Sequence, residues 1–240
     1  MTPPGWRIAI LNPNTTRAFT DRLGALGSAL AAPGTTVIAR SPASGPASIE
    51  CHADEAAALP GLLRLVREEE ALGTAAYVIA CFGDTGLDAA REIATGPVIG
   101  MTEAALFAAA MVAPYFSVIT LPPRTILQAD RVLRHTGLAH RCRIRAIDVA
   151  VDDCVGMDPA LLHAMLAEAR RAMTEDRAEA IILGCAGLSG LVGPMTQSLG
   201  VPVIEGVTVA LKMAEGLVAA GLRTSKSCTY AAPPRTEATA

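Results

Sequence analysis

The chain has 240 residues, of which 51% are hydrophobic and 18% charged. This is enough apolar material for one large domain or two smaller lobes with packed cores, and it excludes extended disorder. Twenty Lys and Arg residues against 23 Asp and Glu residues give a formal net charge of −3. Because no basic surface is expected, we expect no binding to nucleic acid or to anionic membranes.

The amino-terminal sequence MTPPGWRIAILNPNTT lacks the basic region, apolar stretch and cleavage site of a secretory signal. The longest apolar run, 104–113, is about half as long as a membrane span. The six cysteines form no Cys-x-x-Cys pair and no Cys/His cluster, which indicates neither a disulfide scaffold nor a metal site. We therefore expect a soluble protein of the reducing cytoplasm.

Aromatic residues make up 3% of the chain, and its only lysines are Lys212 and Lys226. Neither lysine lies in a phosphate-binding loop, so pyridoxal phosphate is not expected, and a flavin would find little surface on which to stack. We therefore expect no cofactor.

Strand and helix patterns alternate along the chain. Short β-branched runs predict buried parallel strands at 7–11, 36–39, 77–80, 98–100, 117–120, 144–149, 180–184 and 202–204. Apolar spacing of 3.6 residues predicts helices at 16–30, 53–72, 87–94, 103–112, 124–136, 159–174 and 207–220. This alternation is typical of an α/β fold with parallel sheets flanked by helices.

The chain also repeats internally. The segment YVIACFGDTGLDAAREIATGPVIGMTEAALFAA aligns with AIILGCAGLSGLVGPMTQSLGVPVIEGVTVALKMA. In both, an apolar strand precedes Cys-x-Gly, about a dozen helical residues, Pro-Val-Ile and an Ala-rich helix. The Asn12–Cys81 separation of 69 positions also resembles the Thr120–Cys185 separation of 65. The sequence thus predicts two similar halves.

Each half carries one cysteine, Cys81 or Cys185, at the carboxyl end of a parallel strand. Ligands of open α/β sheets bind at this edge, so two facing lobes would present two thiols to one cleft. A helix beginning a residue or two after each cysteine would favour the thiolate and bring its pKa below about 8.5.

Two opposed thiols suit one reaction in particular: one sulfur removes a proton from a carbon and the other returns a proton to the opposite face. The resulting enolate needs hydrogen-bond donors. Backbone amides and hydroxyls in the loops 81–86 and 185–190, including those of Thr85 and Ser189, would supply them. The loops 12–16 and 120–125 would add polar walls.

Other interpretations are open for several of these residues. A cysteine that ends an apolar strand is often a small core residue, and we assign that packing role to Cys51, Cys142, Cys154 and Cys228. Asp84 could cap a helix beginning near Gly86, bind substrate, or do both. A solvent-exposed helix face is expected for the run Glu68–Glu70. Surface or helix-face positions are expected for the four histidines, His52, His135, His140 and His163.

The segments LNPNTT, ACFGDTGLDAARE, ILGCAGLSGL and GLRTSK make the chain resemble the hydantoin racemases of the aspartate/glutamate racemase superfamily, over about 8–230. Similar allantoin racemases belong to the same group. The resemblance implies a cofactor-independent racemase that forms homo-oligomers and uses Cys81 and Cys185 as paired acid and base. It also implies two pseudo-symmetric lobes, 1–100 with 206–240 and 101–205.

Matched position by position, the resemblance implies a substrate site lined by Asn14, Gly83, Asp84, Thr85, Thr120, Ala186 and Gly187. The stretch 41–50 matches a variable loop that would shape the pocket for the substrate's side chain. Relatives with a single cysteine decarboxylate aryl malonates, and the presence of both cysteines here argues against that activity.

The resemblance favours racemisation of a 5-substituted hydantoin. No Lys or Arg lies within several residues of either cysteine on the loop side, although Arg124 could approach through the fold, so a neutral ring fits better than a free amino acid. Allantoin or an acidic amino acid remains an alternative substrate. Amide hydrolysis or isomerisation with a cysteine nucleophile, and a non-catalytic small-molecule binding protein, remain alternative functions.

Overall fold

The computed structural model describes residues 5–149 and 158–234, which form two α/β lobes. In the first lobe, parallel strands β1 (Trp6–Leu11), β2 (Thr35–Arg40), β3 (Ala76–Ile79) and β4 (Val98–Gly100) alternate with helices α1 (Arg17–Leu30), α2 (His52–Ala71) and α3 (Leu87–Ile93). Helix α4 (Met101–Val112) leads into the second lobe.

The second lobe repeats this plan. Its strands are β5 (Phe116–Thr120), β6 (Cys142–Ala146), β7 (Ala180–Leu183) and β8 (Val203–Glu205). Its helices are α5 (Ile126–His135), α6 (Pro159–Glu175) and α7 (Val192–Leu199), and α8 (Gly206–Ala219) follows the last strand. The strand orders, β2-β1-β3-β4 and β6-β5-β7-β8, are equivalent, and every pairing is parallel. The predicted fold class and the pseudo-symmetry are confirmed.

Each sheet is covered on both faces, as its nearly continuous apolar strands require. In the first lobe, Ile8 and Ile10 pack toward α1 and α8, whereas Leu11 and Ile79 pack toward α2 and α3. In the second lobe, α6 and α7 cover one face of the sheet, and α4 and α5 cover the other. Side chains of successive strand residues therefore alternate between two helical layers.

The lobes exchange one helix each. Helix α4 follows a strand of the first sheet but packs through Leu106 and Ala109 on the second sheet. Helix α8 follows a strand of the second sheet but packs through Ala210 and Leu211 on the first. We propose 1–100 with 206–240 and 101–205 as the two domains because this exchange occurs at those boundaries.

The structure differs from the sequence-based expectations in a few places. Strand β6 begins at Cys142 and ends at Ala146, so the predicted 144–149 is shifted toward the carboxyl terminus. Glu69 is fully buried, which makes the expected surface run Glu68–Glu70 wrong at that position. Its carboxylate pairs with Arg7 at 3.0 Å and with Arg40 at 3.1 Å.

Candidate active site

A cavity lies between the carboxyl edges of the two sheets. The open space between the lobes, its mouth to solvent included, is about 710 Å³. Ala80 and Cys81, just after β3, line it from the first lobe, and Gly184 and Cys185, just after β7, line it from the second. The fold therefore brings the two cysteines of the repeat to one cavity.

The strand registers show that the cysteines occupy equivalent positions. Leu11 pairs with Ile79 in the first sheet, and Ile119 pairs with Leu183 in the second. Each cysteine lies two residues beyond its paired strand residue, and the residues after Leu11 and Ile119 are Asn12 and Thr120. Both of these polar side chains are buried and line the cavity.

Cys81 is half-buried, and its Sγ lies 3.5 Å from the hydroxyl oxygen of Thr85. Burial raises the pKa of Cys81 to about 12, and the negative charges of Cys185 and Asp84 act in the same direction, while the Thr85 hydrogen bond opposes them. The expected lowering of the pKa is thus wrong for Cys81, because burial dominates. Helix α3 begins only at Leu87, six residues further along the chain. After Cys185, by contrast, a 3₁₀ helix begins at once and spans Ala186–Leu191.

Hydrogen bonds within the loop after β1 fix its shape. Asn14 Oδ1 accepts hydrogen bonds from Asn12 Nδ2 at 2.7 Å and from the backbone N–H of Thr16 at 3.0 Å. Asn12 Nδ2 also lies 3.1 Å from the Thr20 hydroxyl. Asn14 is thereby held at the cavity wall with its amide oxygen engaged by the loop.

The equivalent wall of the second lobe contains Thr120, whose hydroxyl donates to the Gly184 carbonyl oxygen at 3.3 Å. That hydroxyl also lies 2.9 Å from the hydroxyl of Thr125. Ala186 and Gly187 continue this wall after Cys185. Four of the predicted substrate-binding residues, Asn14, Thr120, Ala186 and Gly187, therefore line the cavity.

The other three, Gly83, Asp84 and Thr85, line a neighbouring groove. The Gly83 N–H donates to Thr102 Oγ1 at 2.7 Å. Asp84 accepts from the backbone N–H groups of Thr102 and Glu103 at 2.8 and 2.9 Å. The suggested cap for a helix near Gly86 is thus wrong, because Asp84 caps α4 instead.

Sequence reasoning missed the cavity residues that come from elsewhere in the fold. They are Phe19, Arg22 and Gln128; Phe82 and Leu121 also line the cavity, and they lie in the loops 81–86 and 120–125 that were expected there. Arg22 is the cationic side chain that lines this cavity, and its guanidinium lies 5.6 Å from the centroid of the Phe19 ring. Arg124, which could have approached the site through the fold, is exposed and does not line the cavity. Ile49 lines the cavity too, and it belongs to the stretch 41–50 that was expected to shape the pocket.

Gln128 had a detectable signal. It lies on the same face of α5 as buried Ala129 and Leu133, so it is a polar residue on an otherwise apolar face. Such a side chain needs a polar partner, and that requirement could have marked it in the sequence.

Three other cysteines, Cys51, Cys142 and Cys228, do not line the cavity. Cys142 is buried in the core of the second lobe, Cys51 is the first residue before α2, and Cys228 is exposed, so the packing role assigned to Cys228 is wrong. Cys154 lies outside the described residues. The four histidines, His52, His135, His140 and His163, are exposed. Within 5–149 and 158–234, no three His, Cys, Asp or Glu side chains are grouped so that they could hold a metal ion.

Comparison with known proteins places this site in a family. The family model described as Asp/Glu/Hydantoin racemase matches residues 8–214. The chain belongs to the Asp/Glu/hydantoin racemase family. It is 47% identical over 229 residues to the hydantoin racemase of Rhizobium meliloti, covering 94% of each chain. It is 40% identical over 232 residues to the hydantoin racemase of Pseudomonas sp. (strain NS671), covering 96% of this chain and 93% of that one.

The solved structure of another racemase matches as well. The allantoin racemase from Klebsiella pneumoniae superposes with a TM-score of 0.92 at 44% identity, covering 96% of this chain and 94% of that one. Family membership and these relatives support racemase activity, the isomerase class predicted from the sequence. Over the described part of the chain, none of the helices has the length and apolar character needed to cross a membrane.

Proposed function

We propose that the protein is a cofactor-independent racemase of 5-substituted hydantoins, with Cys81 and Cys185 acting on opposite faces of C5. The observation that carries this proposal is the position of the two cysteines, which line one cavity from equivalent sites in the two lobes. A near-symmetric pair of acid and base groups matches a reaction whose substrate and product are mirror images.

In each direction one sulfur starts as the thiolate and the other as the thiol. The thiolate takes the C5 proton, and the electrons of the broken C–H bond move into the adjacent carbonyl to form an enolate. The thiol on the opposite face then gives its proton to C5, which inverts the centre and exchanges the states of the two sulfurs. Burial raises the pKa of Cys81, which favours its thiol form before substrate binds.

The enolate oxygen requires hydrogen-bond donors. Thr120 lies at the cavity wall, but its hydroxyl proton goes to the Gly184 carbonyl oxygen, so it would contact the ring without donating to it. Asn14 lies at the same wall, and the backbone amides of Ala186 and Gly187 follow Cys185. We propose that Asn14 and these amides hold the ring oxygens. We propose a positioning role, without substrate contact, for Gly83, Asp84 and Thr85. They hold the Cys81 loop in place through hydrogen bonds with Thr102 and through the contact between Thr85 and Cys81.

The side chains of the cavity wall indicate which substituent at C5 would fit. Phe19, Ile49 and Phe82 give the cavity an apolar side, which suits the substituent at C5 of a neutral ring. Arg22 lines the same cavity and would favour a substituent that accepts hydrogen bonds. Allantoin, with its ureido substituent, is therefore the second candidate, supported by a structural relative nearly as similar as the hydantoin racemase.

The protein is also proposed to form a homo-oligomer. Phe107, Met111 and Val112 on α4 and the nearby Tyr115 are exposed apolar side chains. Contact between copies would remove this surface from water. Sedimentation of the purified protein tests this assembly.

Racemisation of single enantiomers, followed by circular dichroism against an enzyme-free blank, tests the function. We expect a 5-substituted hydantoin to lose its signal faster than allantoin or L-glutamate. Cys81→Ser and Cys185→Ser should each lose at least about 100-fold in rate, as expected when an acid or base group is removed. Cys228→Ser, at the exposed cysteine, should match wild type. Full activity in both cavity variants would contradict the proposal, and release of a ring-opened product would indicate hydrolysis.

A further inference from the structure

Gln128 is a buried side chain of α5 that lines the cavity between the lobes. Only 3% of the residue is exposed. Its carboxamide nitrogen, Nε2, is buried and has no hydrogen-bond partner among the described residues. A buried donor without a partner is costly, and native proteins satisfy nearly all such groups.

The other buried polar side chains of the cavity are satisfied within the protein. Asn12 bonds to Asn14 and Thr20, and Thr120 bonds to Thr125 and to the Gly184 carbonyl. In the described part of the chain, two buried side-chain atoms have no partner, Thr35 Oγ1 and Gln128 Nε2. Of these, only Gln128 belongs to the cavity.

Packing holds Gln128 in place from both lobes. It is anchored in the second lobe by α5, whose Ala129 and Leu133 are buried beside it. Against the first lobe, a Cβ added at Gly83 would lie 3.2 Å from the Gln128 Cβ, so the side chain rests on the loop that carries Cys81. The base of the Gln128 side chain is therefore held between the lobes, beside the loop that carries Cys81.

We propose that Gln128 Nε2 donates a hydrogen bond to a ring carbonyl oxygen of the substrate. This inference rests on the proposed function, since a hydantoin ring carries two carbonyl oxygens that need donors once water has left the cavity. It makes Gln128 a substrate-binding residue supplied by the second lobe to a ring held near the first-lobe cysteine.

The test uses a ligand that cannot react. In 5,5-dimethylhydantoin the ring has no proton at C5, so calorimetry reports binding without turnover. Gln128→Met keeps the length of the side chain and removes the donor, and we expect it to bind about tenfold more weakly than wild type. Gln197→Met, made at an exposed glutamine of α7, should bind as wild type does. Thermal unfolding checks that both variants fold.

A cycle with sulfur analogues identifies the partner atom. Replacing one ring carbonyl oxygen by sulfur, first at C2 and then at C4, weakens it as an acceptor. Wild type should bind one of the two sulfur analogues more weakly than it binds dimethylhydantoin. Gln128→Met should bind that analogue and dimethylhydantoin equally well. Equal affinity of wild type and Gln128→Met, or an unchanged loss for both analogues, would overturn the inference.

The two proposals fail separately in these assays. Binding of dimethylhydantoin that depends on Gln128, without racemisation of any chiral hydantoin, would support this inference and contradict the proposed function. If Gln128→Met racemises hydantoins and binds dimethylhydantoin as well as wild type does, the proposed function would be supported and this inference contradicted. Failure of wild type to bind dimethylhydantoin would overturn the inference for this ring.

Discussion

The carboxylate of Asp84 fills the space beside Gly100 that a side chain would otherwise take. A Cβ at Gly100 would come within 2.4 Å of both carboxylate oxygens. The equivalent strand residue of the second lobe is Glu205, whose own carboxylate accepts from the N–H groups of Val207 and Thr208. The two lobes therefore cap α4 and α8 with carboxylates from different places in the sequence.

The Asp84 carboxyl should make stability depend on pH. Burial raises its pKa from 3.8 to about 7, more than the hydrogen bonds from Thr102 lower it. Because the folded-state pKa is raised, its contribution to stability is greatest at acidic pH and falls as pH rises from about 4 to 7. Between pH 5 and pH 8, the free energy of unfolding in urea should therefore fall by about 2 kcal/mol more for wild type than for Asp84→Asn, which has no carboxyl to ionise. A difference that is the same at both pH values would contradict this.

Gly184 is the position next to Cys185 that can least accept a side chain. An added Cβ would lie 2.7 Å from the Cα of Thr120 and 2.9 Å from the Ile119 carbonyl oxygen. Because these are backbone atoms, Gly184→Ala should cost about 2 kcal/mol in stability and lower racemase activity more than tenfold. Gly193→Ala has open space around its new Cβ and lies in α7, where alanine is the better helix former, so it should keep wild-type activity and be at least as stable as wild type. Equal behaviour of the two variants would refute this prediction.

Glu69 should be important for stability although it lies far from the cavity. Burial alone would raise its pKa, but hydrogen bonds from Arg7, Thr74 and Arg40 hold the pKa below its usual value. Glu69→Gln leaves these arginines without their buried partner and should cost about 3 kcal/mol at pH 7. The neighbouring Glu68→Gln, at an exposed ion pair, should cost less than about 1 kcal/mol.

The pH dependence of that difference gives a second check. Because the folded-state pKa of Glu69 is lowered, its contribution is present above the usual glutamate pKa and is lost as pH falls through the folded value. The gap between wild type and Glu69→Gln should therefore narrow in acid. A gap that widens in acid would contradict the assigned sign.

Cys81 should react slowly with iodoacetamide in the free enzyme. Its pKa is raised to about 12 by burial, and alkylation requires the thiolate. At pH 8 the exposed Cys228 should be modified first, and the rate at Cys81 should still be rising at pH 10. Mass spectrometry of the digested protein measures both rates. Modification of Cys81 with a plateau below pH 9 would show that the thiol is not held in its protonated form.

Features determined by short stretches of sequence could be predicted. The duplicated Cys-x-Gly context was enough to place Cys81 and Cys185 at equivalent strand ends, and apolar runs located all eight strands to within a few residues. Strand β6 was displaced because its residues Arg143 and Arg145 break the apolar pattern, whereas Ile147 and Val149 extend it.

Features that depend on distant contacts could not be predicted in this way. Glu69 looks like a surface charge until Arg7 and Arg40 are brought to it from β1 and β2. Asp84 looks like a local helix cap, yet the Cys81 loop turns it toward the amino end of α4. Arg22 reaches the cavity only because α1 runs beside it.

The central claim is that Cys81 and Cys185 serve opposite faces of C5, and hydrogen exchange in deuterium oxide tests it most directly. Each enantiomer of a 5-substituted hydantoin is incubated with Cys81→Ser and with Cys185→Ser, and NMR follows loss of the C5 proton. Neither variant should racemise the substrate, and each should exchange the proton of one enantiomer only, with opposite preference. Exchange of the same enantiomer by both variants, or racemisation by either at the wild-type rate, would contradict the two-thiol account.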